Sequence, residues 1–304
     1  MDNNLINLKK LLASANQVIL GKDRQIRLAV CCLLSQGHLL IENVPGVGKT
    51  TLSHTLAKLF GMDYQRIQFT SDILPADIIG SSVFVAEEQK FVFHPGPVFK
   101  QMILADEINR ATPKAQSAML EAMEERQITV DGKTYPLPAP FFVIATQNPA
   151  HHAGTYPLPE SQLDRFLMRI DLGYPGAIAE RALLSGKSRQ SLLDGLPVQM
   201  SIKELFALQQ KVREVFAAPA LLDYLQAIID FTRQSGQYAC GLSPRAGLAL
   251  LTAAKAWALM SQRDAVIPED VQAVLAAVAG HRISSGKGDS EAIVAPILNY
   301  VAVF

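Results

Sequence analysis

The sequence predicts an α/β domain followed by an all-helical domain. As far as about residue 172, apolar runs of strand length alternate with stretches of helical spacing. After Ala177 the pattern is wholly helical, and a break in composition at residues 173–176 separates the two halves. We therefore predict an α/β domain over residues 1–174 and a helical domain over residues 175–304.

Length and composition fit a well-packed globular protein. The chain has 304 residues, of which 49% are hydrophobic and 18% are charged, which is enough for roughly two domains. Lys plus Arg and Asp plus Glu each number 28, so net charge gives no reason to expect nucleic acid as a partner. The three cysteines, Cys31, Cys32 and Cys240, show no metal-ligand spacing. Without a signal pattern or a membrane-length apolar run, we expect a soluble, cytoplasmic protein.

Two helices are predicted at the N-terminus. Residues 3–15 have amphipathic spacing, with Leu5, Leu8 and Leu12 on one face. A short apolar turn follows at residues 18–22, and a second helix continues to Gln36.

A glycine-containing loop then joins a buried strand at residues 38–41 to a helix at residues 52–59. The loop fits the pattern G-x-x-x-x-G-K-[ST] except that Asn43 replaces the first glycine, and asparagine tolerates a left-handed backbone. Such a loop curls its N–H groups around a phosphate at a helix N-terminus. The candidate nucleotide-binding residues are Asn43, Val44, Pro45, Gly46, Val47, Gly48, Lys49, Thr50 and Thr51.

Two residues of this loop have more specific predicted roles. Lys49 is predicted to reach the β- and γ-phosphates, and Thr50 to offer a hydroxyl to Mg²⁺. The alternative is a glycine-rich loop that binds nothing. The candidate site residues further along the chain, Asp106, Glu107 and Asn148, argue against it. The turn ahead of the loop, with Val18, Ile19 and Gly21, is a candidate adenine contact. Ordinary packing between helices explains its apolar residues equally well.

The apolar strand at residues 102–105 ends in two carboxylates, Asp106 and Glu107. They are expected at the sheet edge where the phosphate loop also begins. Asp106 is the candidate Mg²⁺ ligand, and Glu107 is the candidate base or orienting group for the attacking water. Strands often end in acidic residues, but the combination with the loop indicates a nucleotide hydrolysis site.

A further buried strand at residues 141–146 leads to Asn148 at the same predicted edge. Its amide could contact the γ-phosphate or the water, although an asparagine before a proline is also a common turn former. The adjacent His151 and His152 follow, and we interpret them as solvated polar residues because neighbours in sequence cannot easily face one metal.

Two hairpins interrupt this pattern. One is predicted around the polar stretch at residues 86–90, and the other around the turn-forming pair Asp131 and Gly132. In the helical half, Ser201 and Glu204 form a capping box. Ser243 and Pro244 begin another helix, which places Arg245 in a first turn where the helix dipole repels a cation. A bound phosphate would remove that conflict, while a simple surface arginine is the alternative.

With these motifs, the chain resembles the MoxR family of AAA+ ATPases from about residue 18 to residue 281. It departs from the family at His151 and His152, and we do not expect the resemblance to include the tail after Ser284. The matching stretches are residues 42–50 (ENVPGVGKT), 68–75 (QFTSDILP), 104–111 (LADEINRA), 120–127 (LEAMEERQ), 145–149 (ATQNP), 154–160 (GTYPLPE), 163–166 (LDRF) and 243–245 (SPR).

The resemblance implies an AAA+ P-loop αβα domain with a parallel sheet, followed by a helical lid. It implies that the hairpin near residues 83–93 is an insertion into the second helix, and that the one near residues 127–136 precedes the residue called sensor 1. The roles it carries over are Walker A for Lys49 and Thr50, Walker B for Asp106 and Glu107, sensor 1 for Asn148, the arginine finger for Arg165 and sensor 2 for Arg245.

Because an arginine finger acts on the nucleotide of a neighbouring subunit, the resemblance also implies a ring, expected to be a hexamer. The expected function is ATP-driven, chaperone-like remodelling, maturation or metal-cofactor insertion of a client protein. The expected partner carries a von Willebrand factor A domain, and ATP and Mg²⁺ are the expected cofactors.

The alternative functions are a DNA-dependent motor, a magnesium-chelatase-like subunit and a GTP switch. A DNA-dependent motor of the helicase type requires basic hairpin tips, whereas the sequence there includes Glu87, Glu88 and Asp131. A magnesium-chelatase-like metal-insertion subunit differs mainly in its client. A GTP switch is disfavoured because the sequence has no N-K-x-D motif.

Overall fold

The computed structural model describes residues 2–42, 46–87, 89–147, 155–185, 189–283 and 288–303. The strands are β1 (Leu39–Glu42), β2 (Tyr64–Gln68), β3 (Gly80–Val85), β4 (Lys90–Pro95), β5 (Met102–Asp106), β6 (Gln127–Val130), β7 (Lys133–Pro136), β8 (Phe142–Gln147) and β9 (Met168–Ile170). The helices are α1 (Asn3–Val18), α2 (Asp23–Leu34), α3 (Lys49–Leu59), α4 (Pro75–Ile79), α5 (Pro113–Glu125), α6 (Glu160–Leu163), α7 (Ala177–Ser185), α8 (Arg189–Asp194), α9 (Ile202–Glu214), α10 (Pro219–Gln234), α11 (Pro244–Met260), α12 (Pro268–Ile283) and α13 (Ser290–Tyr300).

Five strands form a parallel sheet in the order β2-β5-β8-β1-β9. The register aligns Glu42 at the end of β1 with Gln147 at the end of β8, while Ala105 of β5 lies beside Ala145. The carboxyl ends of the three central strands therefore meet at one edge, as expected for parallel strands joined by helices. This edge holds Glu42, which precedes the glycine loop, and the carboxylate of Asp106 at the end of β5.

The sheet separates two buried cores, and alternate residues of each central strand enter opposite cores. Leu39 and Ile41 pack with α1, α2, α3 and the helices of the second half, whereas Leu40 packs with α4 and α5. In β5, Leu104 faces the first core and Ile103 faces the second. Strands buried on both faces read as continuous apolar runs, which is why the sequence showed them clearly.

The second half of the chain packs helices α9 to α13 into a bundle. Its α11 and α12 contact each other along their length, and α11 also packs on α2 and α9. The buried residues of this bundle belong to the same cluster as those of α1–α3, so the helical half is anchored on one face of the α/β unit. The domain boundary near residue 174 stays a prediction, and it lies in the segment between β9 and α7.

Several local predictions are confirmed. Both hairpins are present as antiparallel pairs, β3–β4 and β6–β7. Asp131 and Gly132 have φ angles of 52° and 74°, as the tight turn requires. The capping box is formed, with the Ser201 hydroxyl accepting the Glu204 N–H and the Glu204 carboxylate accepting the Ser201 N–H.

Other local predictions were wrong in extent. The last strand spans only residues 168–170 of the expected 166–172, because Phe166 bonds back to Leu163 in a turn and Asp171 accepts the Gly173 N–H in another. Helix α7 covers residues 177–185 of the helix expected over 178–189, and residues 186–188 lie outside the described part of the chain. Helix α13 was not predicted, and it contains an internal proline, Pro296. No helix among the described residues is both long and apolar enough to cross a lipid bilayer.

His38, just before β1, is a buried polar link between the sheet and α5. Its Nδ1 accepts the Val143 N–H at 3.0 Å, so the proton sits on Nε2, which lies 3.1 Å from the Met123 carbonyl. Burial lowers the pKa of His38 to about 4, the Met123 hydrogen bond opposes this shift, and nearby Arg126 adds to it. The folded state therefore holds this imidazole neutral.

We expect this histidine to make folding stability pH-dependent. As the pH falls below about 6.5, the unfolded chain binds a proton that the folded chain binds only near pH 4, so the free energy of unfolding decreases across that window. The decrease attributable to His38 is roughly 3 kcal/mol. Urea unfolding of wild type and His38→Gln between pH 7.5 and 4.5 measures it, with the exposed His94→Gln as control. An unchanged pH slope in His38→Gln would contradict the assignment.

Candidate functional site

The described part of the glycine loop has the backbone that an anion cradle requires. Gly46 and Gly48 have φ angles of 85° and 98°, which side-chain-bearing residues rarely adopt. A Cβ built on either glycine would meet no atom within 4 Å, so both backbones border open space. Helix α3 begins at Lys49 with Gly48 as its cap, so the first N–H groups of that helix and the positive end of its dipole lie at the loop.

Lys49 connects this loop to the end of β5. Its side chain is buried, and burial lowers the pKa of the ammonium while the nearby Asp106 and Glu107 carboxylates oppose that shift. The structure thus brings together the two strand ends that the sequence analysis paired. Thr50 is exposed at the start of α3, and the flanking Val47 and Thr51 are half-buried.

Asp106 is held by two neighbours. Its Oδ1 accepts the Thr146 hydroxyl at 2.6 Å, and its Oδ2 accepts Arg66 Nε at 3.0 Å and Nη2 at 2.6 Å. Arg66 comes from β2 and Thr146 from β8, the strands that flank β5. Neither residue was predicted to belong to the site. A carboxylate oriented from both sides presents a fixed oxygen pair at the edge.

Glu107 follows in a left-handed conformation, with φ 57° and ψ 46°, which is uncommon for a glutamate and typical of functional turns. Its N–H donates to the Thr146 hydroxyl at 2.8 Å, which fixes the turn. Its carboxylate oxygen Oε2 accepts Gln68 Nε2 at 3.0 Å and lies 3.2 Å from Arg110 Nε. Gln68 was also missed by the sequence analysis. Its position at the carboxyl end of β2 is the feature that could have identified it as a site residue.

The residues present fit a magnesium nucleotide. Mg²⁺ is held in proteins by one or two carboxylates together with hydroxyl, phosphate and water oxygens, which matches Asp106 and Thr50 beside an anion-binding loop. Lys49 is buried at this loop, where the lysine of such a motif contacts the β- and γ-phosphates. The same edge thus offers donors for phosphate and oxygens for a divalent cation.

Arg165 and Arg245 lie at the opposite edge of the sheet. Arg165 precedes β9, whose first residue Met168 pairs with Leu39 at the amino end of β1. Because β1 rises about 3.3 Å per residue, its two ends lie roughly 10 Å apart. Both guanidinium groups bind Glu124 near the end of α5, at 2.7 Å for Arg165 and 3.2 Å for Arg245. These contacts direct both arginines to the edge of the sheet away from the phosphate loop of the same chain.

The contact with Glu124 also resolves the electrostatic conflict at the start of α11. The Ser243 hydroxyl caps this helix by accepting the Ala246 N–H. Arg245 then lies in the first turn, where the helix dipole is unfavourable for a cation. The Glu124 carboxylate supplies the compensating negative charge from a distant part of the chain.

The candidate adenine residues are packed into the protein. Val18 and Ile19 are 2% and 7% exposed and belong to the core that α1 shares with the lid helices. Gly21 has φ 69°, and a Cβ there would lie 3.1 Å from Ala179 Cβ on α7. Ordinary packing accounts for all three residues, and their contact with adenine stays a prediction.

Several predicted residues lie outside the described part of the chain. They are Asn43, Val44 and Pro45 of the loop, the sensor candidate Asn148, and the pair His151 and His152.

A buried ion pair beside the site was not predicted. Arg169 of β9 is 4% exposed and donates to Glu42, the last residue of β1, at 3.0 Å. The same guanidinium donates to the Gly288 carbonyl and the Ser290 hydroxyl at the start of α13. Burial raises the pKa of Glu42, and Arg169 opposes that shift. The C-terminal helix is thereby tied to the strand that leads into the phosphate loop.

A parallel sheet of this order, a left-handed glycine loop at a helix start and two carboxylates close to its lysine define an AAA+ P-loop ATPase domain, here carrying a helical lid. The model of the ATPase family associated with various cellular activities (AAA) matches residues 38–168, and the AAA lid domain model matches residues 230–297. The expectation that the tail after Ser284 lies outside the resemblance was therefore wrong, because the lid match continues past that residue. The chain belongs to the MoxR family of AAA+ ATPases.

Relatives match along most of their length. The chain is 44% identical to the uncharacterized protein YeaC of Bacillus subtilis, across 97% of this chain and 94% of the relative. It is 41% identical to Chaperone MoxR1 of Mycobacterium tuberculosis, across 91% of this chain and 75% of the relative. A crystal structure of a proposed ATPase from Cytophaga hutchinsonii covers 99% of this chain and 96% of its own, with 34% identity and a TM-score of 0.88.

Proposed function

We propose that this protein hydrolyses ATP with Mg²⁺ in a ring of identical subunits and uses the energy to remodel a client protein. The observation that carries the proposal is the convergence of Lys49 with Asp106 and Glu107 at one sheet edge. The arginines that would complete such a site lie at the other edge. A single subunit thus contains two complementary halves of a site that it cannot join by itself.

The chain's own residues divide the chemistry as follows. The glycine loop, the start of α3 and Lys49 bind the triphosphate. Asp106 and Thr50 hold Mg²⁺, which when bound neutralises phosphate charge. Glu107 orients the attacking water and accepts its proton. Gln68 and Arg110 hold the Glu107 carboxylate in place, and Asn148 is proposed to contact the γ-phosphate or the water.

The position of the arginines supports the proposed ring. If the edge bearing Arg165 and Arg245 meets the phosphate loop of a neighbour, both guanidinium groups can reach the triphosphate from outside. A heterologous, head-to-tail contact of this kind closes into a ring when the rotation between successive subunits brings the last one back to the first. A hexamer is the ring we propose, because the MoxR resemblance suggests that size.

The proposed client is a protein. The chain is similar to a mycobacterial relative that is named a chaperone. The β3–β4 hairpin exposes two aromatic rings, Phe84 at 53% and Phe91 at 69%, which pack edge to face with centroids 5.3 Å apart. Apolar surface of this kind fits a protein segment better than a phosphate backbone. Maturation or metal loading of the client, and a partner with a von Willebrand factor A domain, are part of the proposal.

The test is turnover as a function of subunit concentration. Phosphate release per subunit is expected to rise steeply as sedimentation velocity shows rings replacing monomers, because each site gains its neighbour's arginines only on assembly. Chelating Mg²⁺ is expected to abolish the signal, and Lys49→Ala is the inactive control. Turnover per subunit that is the same for monomers and rings would contradict the proposed arrangement.

A further inference from the structure

Glu124 lies between the two arginines at the sheet edge opposite the phosphate loop. Each of its carboxylate oxygens contacts a different guanidinium group, with Oε2 2.7 Å from Arg165 Nη1 and Oε1 3.2 Å from Arg245 Nη1. The side chains of Glu124 and Arg165 are each about one-third exposed, and that of Arg245 is more than half exposed. One carboxylate therefore joins two cations that come from residues 80 positions apart in the chain.

The two arginines are anchored differently. Arg165 also donates to the Leu120 carbonyl at 2.9 Å, one turn earlier on α5. The contact described for the Arg245 guanidinium is the one with Glu124. The nearby Arg282 is engaged elsewhere, because it donates to Asp164 and to the carbonyls of the segment before β9. Glu124 is thus the residue that sets where the Arg245 guanidinium lies relative to Arg165.

Electrostatics explain why a carboxylate is needed there. Two guanidinium groups that share one partner are close enough to repel each other. A carboxylate between them replaces that repulsion by two charge-assisted hydrogen bonds. Exposed ion pairs of this kind contribute little to folding stability. The arrangement is therefore better suited to orienting the two cations than to holding the fold together.

The pair also spans the two halves of the chain. Arg165 belongs to the α/β unit, Arg245 to the lid helix α11, and Glu124 to α5. A cavity of about 300 Å³ lies between these elements and is lined by Glu124, Arg165, Arg245, Arg126, Asp164 and Arg282. The guanidinium pair thus connects α11 to the end of α5.

We propose that Glu124 is the positioning residue that sets Arg165 and Arg245 as a pair directed at the triphosphate of the neighbouring subunit. This inference rests on the proposed function, in which those arginines act across the ring. Glu124 touches neither the nucleotide nor the water. It acts through the two arginines, so its effect belongs to the subunit that donates them and not to the subunit that binds the nucleotide.

Mixed rings separate these two subunits. A donor carrying Glu107→Gln keeps its arginines and cannot hydrolyse ATP in its own site. An acceptor carrying Arg165→Ala and Arg245→Ala keeps its own site and lacks arginines. Each is expected to be nearly inactive alone. Their mixture is expected to regain turnover, because donor arginines then face acceptor sites.

Adding Glu124→Ala to the donor is expected to lower the kcat of the mixture by about 10- to 100-fold, the scale of a misplaced catalytic group. The KM for ATP is expected to stay the same, since the acceptor's own loop binds the nucleotide. Adding Glu124→Ala to the acceptor is expected to change nothing. Glu124→Gln in the donor, which leaves one acceptor oxygen for one arginine, is expected to lose less. The neighbouring exposed residue Glu125, replaced by Ala in the donor, is the matched control.

The outcomes test the positioning role of Glu124 separately from the action of the arginines across the ring. If the mixture without Glu124→Ala regains no turnover, action across the ring is refuted, and the inference with it. If that mixture is active and donor Glu124→Ala is equally active, only the inference is refuted. The role of Glu124 is also refuted if Glu124→Ala lowers turnover when it is carried by the acceptor. It is refuted as well if sedimentation or thermal melting shows that Glu124→Ala prevents assembly or folding.

Discussion

Replacing Glu107 by glutamine is expected to lower ATP hydrolysis by about 10²–10⁴-fold, the usual contribution of a positioned acid–base group. The amide cannot accept a proton from water, whereas Gln68 and Arg110 still surround the side chain. The phosphate loop, Lys49 and Asp106 are unchanged. Binding of ATP is therefore expected to keep its wild-type Kd.

Two measurements check this prediction. Phosphate release gives turnover, and a fluorescent ATP analogue titrated into the variant gives the Kd. The exposed Glu121 on α5, replaced by Gln, is a matched control that is expected to behave as wild type. Loss of ATP binding in Glu107→Gln would show that this carboxylate shapes the binding site and is not the base.

The same variant provides a trap for the client. A ring that binds ATP and cannot hydrolyse it is expected to retain a bound client that the wild-type ring would release. Affinity capture of Glu107→Gln with ATP, compared with Lys49→Ala, identifies proteins whose retention depends on nucleotide. A client or a von Willebrand factor A-domain partner is expected only in the first sample.

In the proposed ring, replacing Arg165 by alanine is expected to lower turnover by about 10³–10⁵-fold, the range for arginines that act on a neighbour's nucleotide. Arg165 lies at the amino end of the strands, and the phosphate loop follows their carboxyl end. The Kd of an isolated subunit for ATP is therefore expected to be unchanged. Arg165→Lys keeps the charge without the planar fork and is expected to recover only a part of the turnover.

Turnover and sedimentation are measured on the same samples, so that loss of assembly is not mistaken for loss of catalysis. Arg213→Ala, an exposed arginine on α9 that bonds to Gln36, is the matched control. Full activity in Arg165→Ala rings would remove this residue from the site. A loss confined to ATP binding by isolated subunits would instead place Arg165 in its own subunit's site.

Much of the fold was predictable because it depends on local patterns. The central strands are buried on both faces and appear as apolar runs, and the cap residues Ser201 and Ser243 mark helix starts within a few residues. The predicted strand at residues 166–172 was too long because turns at both ends involve specific hydrogen bonds that composition does not show.

The candidate site was predictable only in part. The loop glycines lie close together in sequence, and so do the two carboxylates, so each group forms a recognisable motif. The residues that hold the carboxylates form no such motif. Arg66 is 40 residues from Asp106, and its presence on an edge strand is unremarkable until β2 is placed next to β5.

By itself, the sequence determined the class of the protein, the phosphate loop and the acidic strand end, because short-range geometry requires particular residues at particular spacings. Only the tertiary structure decided which side chains support the carboxylates, that Arg169 ties α13 to Glu42, and that Glu124 joins Arg165 to Arg245. Apart from Arg110, which is three positions from Glu107, those partners lie between 39 and 127 positions apart. Contacts at such separations depend on how the sheet and the helices pack, and no local pattern encodes them.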